Sequence, residues 1–333
     1  MAPVTHPAPA VTIPAVLRSP WYCTLLVASC LPLLAASCAS SPRKGSQESL
    51  ARYEYKRPAL GTEVRVVIYA RERALANASV AAAFERLAAI DAAVNSDDSQ
   101  SELSRLNASA GGPPVPVGDD LFAVLQHAQR LARESGGAFD VTAGAYADLW
   151  RVAAAAGRAP NDSELEAVRD TVGYSLLRVD AIERTAHLTR PGMRLDAGGI
   201  ARGYAADAVT DVLWHRGVQR CMVEAGEVVT FADPPPGKRG WRIPLRHRTL
   251  PPRKAVTLRN GALCHGTGDG RITIIDPFTG KPPAGRPAVT VVARTGAVAQ
   301  GLATAAAVQG RAEGEQLVRK VPDATPLFAT PAR

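Results

Sequence analysis

The sequence predicts an α+β fold for a chain of 333 residues. Segments with the spacing of helices and segments with the composition of strands follow one another in unequal alternation, rather than in regular strand–helix pairs. Hydrophobic residues make up 46% of the chain, enough to bury a sizeable core, and the length fits one large domain or two small ones. These observations exclude disorder as the overall state of the body, which contains no internal repeat and no low-complexity segment.

Hydrophobic periodicity predicts four helices and a longer series of strands. The helices are expected over residues 74–94, around an apolar face at 121–131 that Gly136-Gly137 ends, after the glycines at 198–203, and over 297–308. The strands are expected over residues 64–69, 176–179, 186–189, 218–223, 228–231, 241–245, 255–258, 271–275 and 289–293.

Residues 1–38 have the features of a lipoprotein signal peptide. Arg18 precedes an apolar stretch at 21–37 that, at roughly 17 residues, is short for a membrane span. The stretch ends in small residues before Cys38, as lipidated bacterial signals do, and Cys30 is a second candidate for lipidation. The alternatives are an ordinary secretory signal and a single anchor helix. We expect an exported protein that a lipid on Cys38 anchors to a bacterial membrane, facing the periplasm or the cell exterior.

The rest of the chain is predicted to be a tether followed by a folded body. Residues 39–52, rich in serine, form the tether, and residues 53–333 form the domain. The formal net charge is +8, but aromatic residues make up only 5% of the chain and no basic run is interleaved with them, so no nucleic-acid partner is expected. The two cysteines of the body, Cys221 and Cys264, lack metal-type spacing. They either pair in an oxidising compartment or remain two buried thiols, which is the plainer interpretation.

Glycines lead into the third predicted helix at residues 198–203, which read GGIARG. A helix start of this kind points backbone N–H groups and a positive dipole end at an anion, and Arg202 adds a cation, so the loop is a candidate phosphate site. Neither the phosphate-loop pattern nor the dinucleotide fingerprint is present. Taken alone, a glycine-rich helix start with no ligand is the plainer interpretation.

Seven stretches are individually as consistent with turns and capped helices as with a site. They are Leu60-Gly61-Thr62, residues 101–107, 136–144 and 196–207, Gly268-Asp269, residues 274–280 and Leu302-Ala303-Thr304. In their order along the chain, from about residue 53 to residue 310, they resemble the ApbE family.

The resemblance implies a mixed α/β fold related to the T-fold, with a flavin cleft in a single domain. It implies FAD:protein FMN transferase activity, in which FMN passes, with Mg²⁺, from FAD to a threonine hydroxyl of a target protein and AMP is released. The implied partners are FAD, a threonine-bearing target protein and, through the lipid anchor, a membrane. Many family members are exported lipoproteins, which agrees with the signal.

Carried over residue by residue, the resemblance implies two groups of site residues. Leu60 lies near the flavin where the family usually has methionine, and Arg202 lies on the nucleotide where lysine is usual, although the two cations differ in geometry. The full set of implied cofactor-binding residues is Leu60, Asp140, Asp196, Arg202 and Ile274. The implied metal positions are Gly199, through its backbone oxygen, Gln300 and Thr304.

Departures from the family pattern bear on catalysis. Gln300 stands where an aspartate is the usual magnesium ligand, and because an amide oxygen carries no charge, metal affinity should fall. Thr273 stands where a histidine is the candidate base, and a threonine hydroxyl is a poor base. Glu227 replaces an aspartate, which is the mildest change. His265 is a candidate replacement for the base, against the plainer interpretation of a solvated loop histidine.

The leading function is therefore FAD:protein FMN transferase. The alternative is a catalytically degenerate flavin-binding lipoprotein, which Gln300 and Thr273 favour. A third interpretation is a periplasmic structural protein that binds no flavin, and it requires the 198–203 loop and the Asp140 region to be scaffold only.

Overall fold

The computed structural model describes residues 49–245, 255–266, 274–283 and 289–328, all within one compact unit. The predicted signal, the tether up to residue 48 and Thr273 lie outside the described residues. In chain order the elements are β1 (Ala51–Ala59), β2 (Thr62–Ala70), α1 (Arg73–Val94), α2 (Glu102–Ala108), β3 (Val115–Pro116), α3 (Asp119–Glu134), α4 (Gly144–Ala155), α5 (Asp162–Arg169), a 3-10 turn (Tyr174–Leu176), β4 (Leu177–Asp180), β5 (Thr185–Leu188), α6 (Ala201–His215), β6 (Cys221–Ala225), β7 (Val228–Phe231), β8 (Trp241–Pro244), β9 (Ala255–Leu258), β10 (Gly261–Gly266), β11 (Val289–Ala293), α7 (Gly296–Gln309), α8 (Arg311–Lys320) and β12 (Thr325–Phe328).

The largest sheet of the described residues has seven antiparallel strands in the order β1-β2-β6-β7-β10-β11-β12. Its first two strands form a hairpin whose two-residue turn is Leu60-Gly61, with φ of 51° and 67°. A type I′ turn requires positive φ at both central residues, although a bulky side chain rarely adopts that conformation. The Leu60 N–H donates to Asp91 Oδ1 at 3.0 Å. This bond to α1 holds the turn in place at one end of the sheet.

Helices α1, α6 and α7 cover one face of this sheet. Helices α6 and α7 approach closely because a glycine lies on each side of the contact: a Cβ added at Gly203 would lie 2.2 Å from the Gly296 carbonyl oxygen. No other residue fits at Gly203 without moving backbone. The crossing brings Gln300, one turn after Gly296, against the start of α6.

The opposite face of the sheet packs against the β8–β9 hairpin. Strand side chains alternate between the two faces, so Val66 and Ile68 enter the helix-side core while Val67 enters a second apolar cluster. That cluster consists of Val67, Met222, Val229, Phe231, Trp241, Ile243, Leu245 and Leu263. The body is therefore built in layers around a central sheet.

The structure confirms the α+β class and the four predicted helices, and it places described strands at eight of the nine predicted positions. The ninth, at 271–275, lies largely outside the described residues, and Ile274 and Ile275 are irregular. Periodicity missed β1, β3, β10, β12 and helices α2, α4, α5 and α8. Cys221 and Cys264 are free and buried, as the plainer interpretation held, and burial raises the pKa of both thiols.

Asp207 of α6 caps the start of α7, and this contact predicts a pH dependence of stability. Its carboxylate accepts from the backbone N–H groups of Gly296 at 2.6 Å and Ala297 at 3.0 Å. Burial outweighs these bonds and raises the pKa of Asp207 to about 7. Between about pH 4 and about pH 7, Asp207 is therefore protonated in the folded protein and deprotonated in the unfolded chain. The stability linked to that proton is lost as the pH rises through about 7.

We expect the free energy of unfolding of the wild type, relative to an Asp207→Asn variant, to be larger at about pH 5 than at about pH 8. Asparagine does not titrate, so the difference between the two proteins isolates the carboxyl group. Urea unfolding at both pH values measures it. If the difference in free energy of unfolding between the two proteins does not change with pH, the raised pKa of Asp207 is contradicted.

Candidate active site

A cleft of about 680 Å³ opens at the end of the sheet where the Leu60-Gly61 turn lies. Its walls come from this turn, the segment after α1, one side of α4, the loop into α6, the end of β10 and one side of α7. Its volume lies within the range of ligand pockets in proteins. Nine predicted site residues line it: Leu60, Asp140, Asp196, Gly199, Arg202, His265, Ile274, Gln300 and Thr304. Thr273 and Cys38 lie outside the described residues.

The loop into α6 is stabilised by its own hydrogen bonds. The Gly198 N–H donates to Asp196 Oδ1 at 2.7 Å, and the Gly203 N–H donates to Gln300 Oε1 at 2.8 Å. The N–H groups of Ile200 and Ala201 donate to the Ala197 carbonyl at 2.9 and 2.8 Å. Four of the six N–H groups of residues 198–203 therefore have partners within the protein. The loop therefore offers an anion few free backbone donors, and the predicted phosphate-binding role of Arg202 would rest on its side chain.

Arg202 pairs with Glu227 inside the cleft. Its guanidinium donates to Glu227 Oε2 at 3.0 Å, and the two side chains are 18% and 10% exposed. The neighbouring Gly226 has φ of 61°, and a Cβ there would lie 3.3 Å from the Arg202 guanidinium. The turn at Gly226 thus lets the pair form at close range. Because the pair is largely shielded from water, the attraction between its two charges is stronger than in a surface ion pair.

Gln300 is buried beside this pair, with 2% of its surface exposed. Its amide nitrogen donates to the Gly198 carbonyl and to Glu227 Oε1, both at 2.8 Å. Its amide oxygen accepts the Gly203 N–H. Its amide oxygen is thus bonded to the backbone and its N–H groups face two acceptors, and the metal role implied for Gln300 stays a prediction.

Gly199 and Thr304, the other two implied metal positions, are neighbours. A Cβ added at Gly199 would lie 3.5 Å from Thr304 Oγ1 and 3.1 Å from the Phe139 ring. Thr304 lies one turn after Gln300 on α7, and its hydroxyl donates to the Gln300 backbone carbonyl at 3.0 Å. The structure thus brings the implied metal positions together, and their role stays a prediction. No group of three or more His, Cys, Asp or Glu side chains suited to a metal occurs in the described part of the chain.

Asp140 and His265 are two further predicted residues of the cleft. Asp140 Oδ1 accepts from the N–H and the hydroxyl of Thr142, at 2.8 and 2.7 Å, and burial raises the pKa of Asp140. His265 lies on strand β10 with 5% of its surface exposed, so the expectation of a solvated loop histidine is wrong. Its Nδ1 lies 3.2 Å from Thr290 Oγ1. His265 is among the residues that line the cleft, and its role as the base stays a prediction.

Sequence reasoning missed the wall of the cleft that α4 forms. Trp150 and Arg151 lie on that helix and line the cleft, and the Trp150 indole N–H donates to the Gly280 carbonyl at 2.7 Å. Helix α4 is rich in alanine, so its apolar and polar positions contrast weakly. Trp150 is a sequence signal that could have pointed to this wall, because tryptophan is rare in this chain, which has four.

Comparison with known proteins places this geometry in a family. The ApbE family model matches residues 60–328. A Treponema pallidum protein named FAD:protein FMN transferase is 27% identical over 314 residues, covering 86% of this chain and 87% of that protein. A protein of the same name from Vibrio cholerae is 31% identical over 229 residues, covering 64% of this chain and 68% of that protein. Among solved structures, the ApbE protein from Thermotoga maritima is 27% identical with a TM-score of 0.73, covering 84% of this chain and 94% of that one. The chain belongs to the ApbE family.

Proposed function

We propose that the protein is an FAD:protein FMN transferase, which moves FMN from FAD to a threonine of a target protein and releases AMP. The observation that carries the proposal is the convergence of nine predicted site residues, drawn from distant parts of an ApbE-family chain, on one cleft. The names of the relatives in Treponema pallidum and Vibrio cholerae support the same activity.

The proposed reaction replaces the phosphoanhydride bond between the two halves of FAD with a phosphoester bond to the target threonine. The hydroxyl oxygen of the target threonine bonds to the phosphorus of the FMN half, and the bond from that phosphorus to the bridging oxygen breaks. The electron pair leaves with AMP, and the threonine proton passes to a base. Arg202 is suited to stabilise the charge on the phosphoryl group and on AMP, because it is a fixed cation in a largely buried position. His265 is our candidate for the base.

Transfer is tested directly by incubating the purified protein with FAD and a threonine-bearing target protein. We expect the target to gain the mass of FMN and AMP to appear in equal amount. The matched control is the same target with its acceptor threonine changed to alanine, which should gain no mass and release no AMP. AMP release without a target would indicate hydrolysis instead of transfer.

A second candidate function is a flavin-binding protein that no longer transfers FMN. The donor orientation of Gln300 favours it, because the carboxylate usual at this position is replaced by an amide that binds to the protein itself. Protein that binds FAD tightly but leaves the target mass unchanged would establish this function over the transferase.

We propose that the chain is exported and anchored by a lipid on Cys38. The support is the signal-like sequence of residues 1–38. None of the described helices is long and apolar enough to cross a membrane. In bacteria fed a labelled fatty acid, the wild type should carry the label and sediment with membranes, and Cys38→Ser should lose both properties. If Cys30→Ser instead loses the label and the sedimentation with membranes, Cys30 is the lipidated residue.

A further inference from the structure

The hydrogen bonds of Gln300 identify its amide orientation through the chemistry of its partners. A backbone N–H, that of Gly203, can only donate, and a backbone carbonyl, that of Gly198, can only accept. Rotating the amide by half a turn would set its oxygen against the carbonyl and its N–H groups against the Gly203 N–H. All three hydrogen bonds of the amide would be lost, and each would be replaced by a repulsive contact. The partners therefore hold the amide with its N–H groups towards Glu227.

The carboxylate beside this amide already accepts hydrogen bonds from two side chains. Glu227 is the carboxylate that contacts Gln300, and it also binds the Arg202 guanidinium at 3.0 Å. A divalent cation placed between Gln300 and Glu227 would displace an amide N–H from the carboxylate. It would also add two positive charges next to a buried arginine. In a site shielded from water such like-charge contacts are costly.

The other two implied metal positions supply neutral oxygen only. Gly199 offers a backbone carbonyl and Thr304 a hydroxyl whose proton is donated to the Gln300 carbonyl. Magnesium is usually bound in proteins through one or two carboxylates together with phosphate oxygens of the substrate, and neither of these two positions supplies a carboxylate. Asp196, which also lines the cleft, accepts the Gly198 N–H on Oδ1 at 2.7 Å and so holds the loop into α6. Neutral ligands alone hold Mg²⁺ weakly.

We infer that the Gln300 amide takes the place of the divalent cation in this chain, so that the cleft binds FAD without a metal and Arg202 supplies the positive charge. The inference rests on the proposed function for the identity of the nucleotide. Gln300 is a positioning residue in this arrangement: it holds Glu227, which in turn orients the Arg202 guanidinium towards the cleft.

Measurements on the wild-type protein test whether FAD binding needs a divalent cation. FAD binding is measured by flavin fluorescence with excess EDTA and again with millimolar MgCl₂. We expect the two dissociation constants to agree within about threefold, that is within about 0.7 kcal/mol. In parallel, Mn²⁺ is titrated into the protein with and without FAD, and the concentration of free Mn²⁺ is measured by electron paramagnetic resonance. We expect no bound Mn²⁺ in the micromolar range.

A gain-of-function variant strengthens the test. In Gln300→Asp the amide is replaced by a second carboxylate facing Glu227, and two adjacent carboxylates are stabilised by a cation between them. We expect this variant to bind Mn²⁺ and to bind FAD about tenfold more tightly with Mg²⁺ than with EDTA. The matched control is Gln309→Asp on the same helix, where Gln309 binds the Ser135 carbonyl at 2.9 Å and lies outside the cleft lining. It should behave as the wild type does.

Tightening of wild-type FAD binding by about tenfold or more with Mg²⁺, or stoichiometric Mn²⁺ binding by the wild type, would overturn the inference. Absence of FAD binding in both conditions would instead contradict the proposed function. The Mn²⁺ titration would still decide whether the cleft holds a cation, so the two failures are distinguishable. Because these measurements use the wild type, they stand even if Gln300→Asp does not fold.

Discussion

Replacing Arg202 with methionine is expected to weaken FAD binding by about 10- to 100-fold, because it removes charge-assisted hydrogen bonds to the phosphates worth about 1.5–3 kcal/mol. The same change leaves the buried Glu227 carboxylate without its arginine, which should lower the free energy of unfolding by about 3 kcal/mol. Methionine keeps much of the length of the side chain, so packing changes little. Flavin fluorescence titration measures the first effect and urea unfolding the second.

The matched control for Arg202 is Arg65. It donates through Nε to Glu224 Oε2 at 3.0 Å, with side chains 29% and 12% exposed, on neighbouring strands away from the cleft lining. Arg65→Met should therefore destabilise the protein without changing the dissociation constant of FAD. Equal losses of FAD affinity in the two variants would mean that Arg202 acts through general stability, and our assignment of Arg202 to the nucleotide would be wrong.

Replacing Gly203 with alanine is expected to be the most destabilising small change in the body, at about 3 kcal/mol or more. Alanine is the better helix former by about 1 kcal/mol, so propensity alone predicts the opposite sign. The new Cβ, however, would lie 2.2 Å from the Gly296 carbonyl oxygen, and this atom belongs to backbone that cannot rotate away. Helices α6 and α7 must separate, and the Gly203 N–H then moves away from Gln300. Urea unfolding and circular dichroism measure the loss.

Gly217→Ala separates this steric effect from the conformational cost of losing a glycine. Gly217 has φ of 83°, and a Cβ added there would have no neighbouring atom of the described residues within 4 Å. Alanine there should cost about 1 kcal/mol through its backbone conformation only. If Gly203→Ala lowers the free energy of unfolding no more than Gly217→Ala does, the close crossing of α6 and α7 does not require glycine at position 203.

The resemblance to the ApbE family, carried over residue by residue, chose nine of the residues that line the cleft. Gly199, Arg202 and Asp196 belong to one short loop ahead of a helix, and such a loop has the same physical properties wherever the fold places it. Helix α4 was missed because its alanine-rich surface carries little periodic contrast, so the wall that contains Trp150 was absent from the prediction. Strand β1 was missed because it lies at the edge of the sheet and is largely exposed, with charged residues throughout.

The sequence by itself determined the α+β class, the family and nine of the cleft residues, because each depends on local patterns and their order along the chain. It also showed that an amide stands where a carboxylate is usual. Only the tertiary structure decided what that amide does, because its three partners lie 73, 97 and 102 positions away in the chain. An amide can donate or accept, and which of the two it does depends on the groups that the fold places against it.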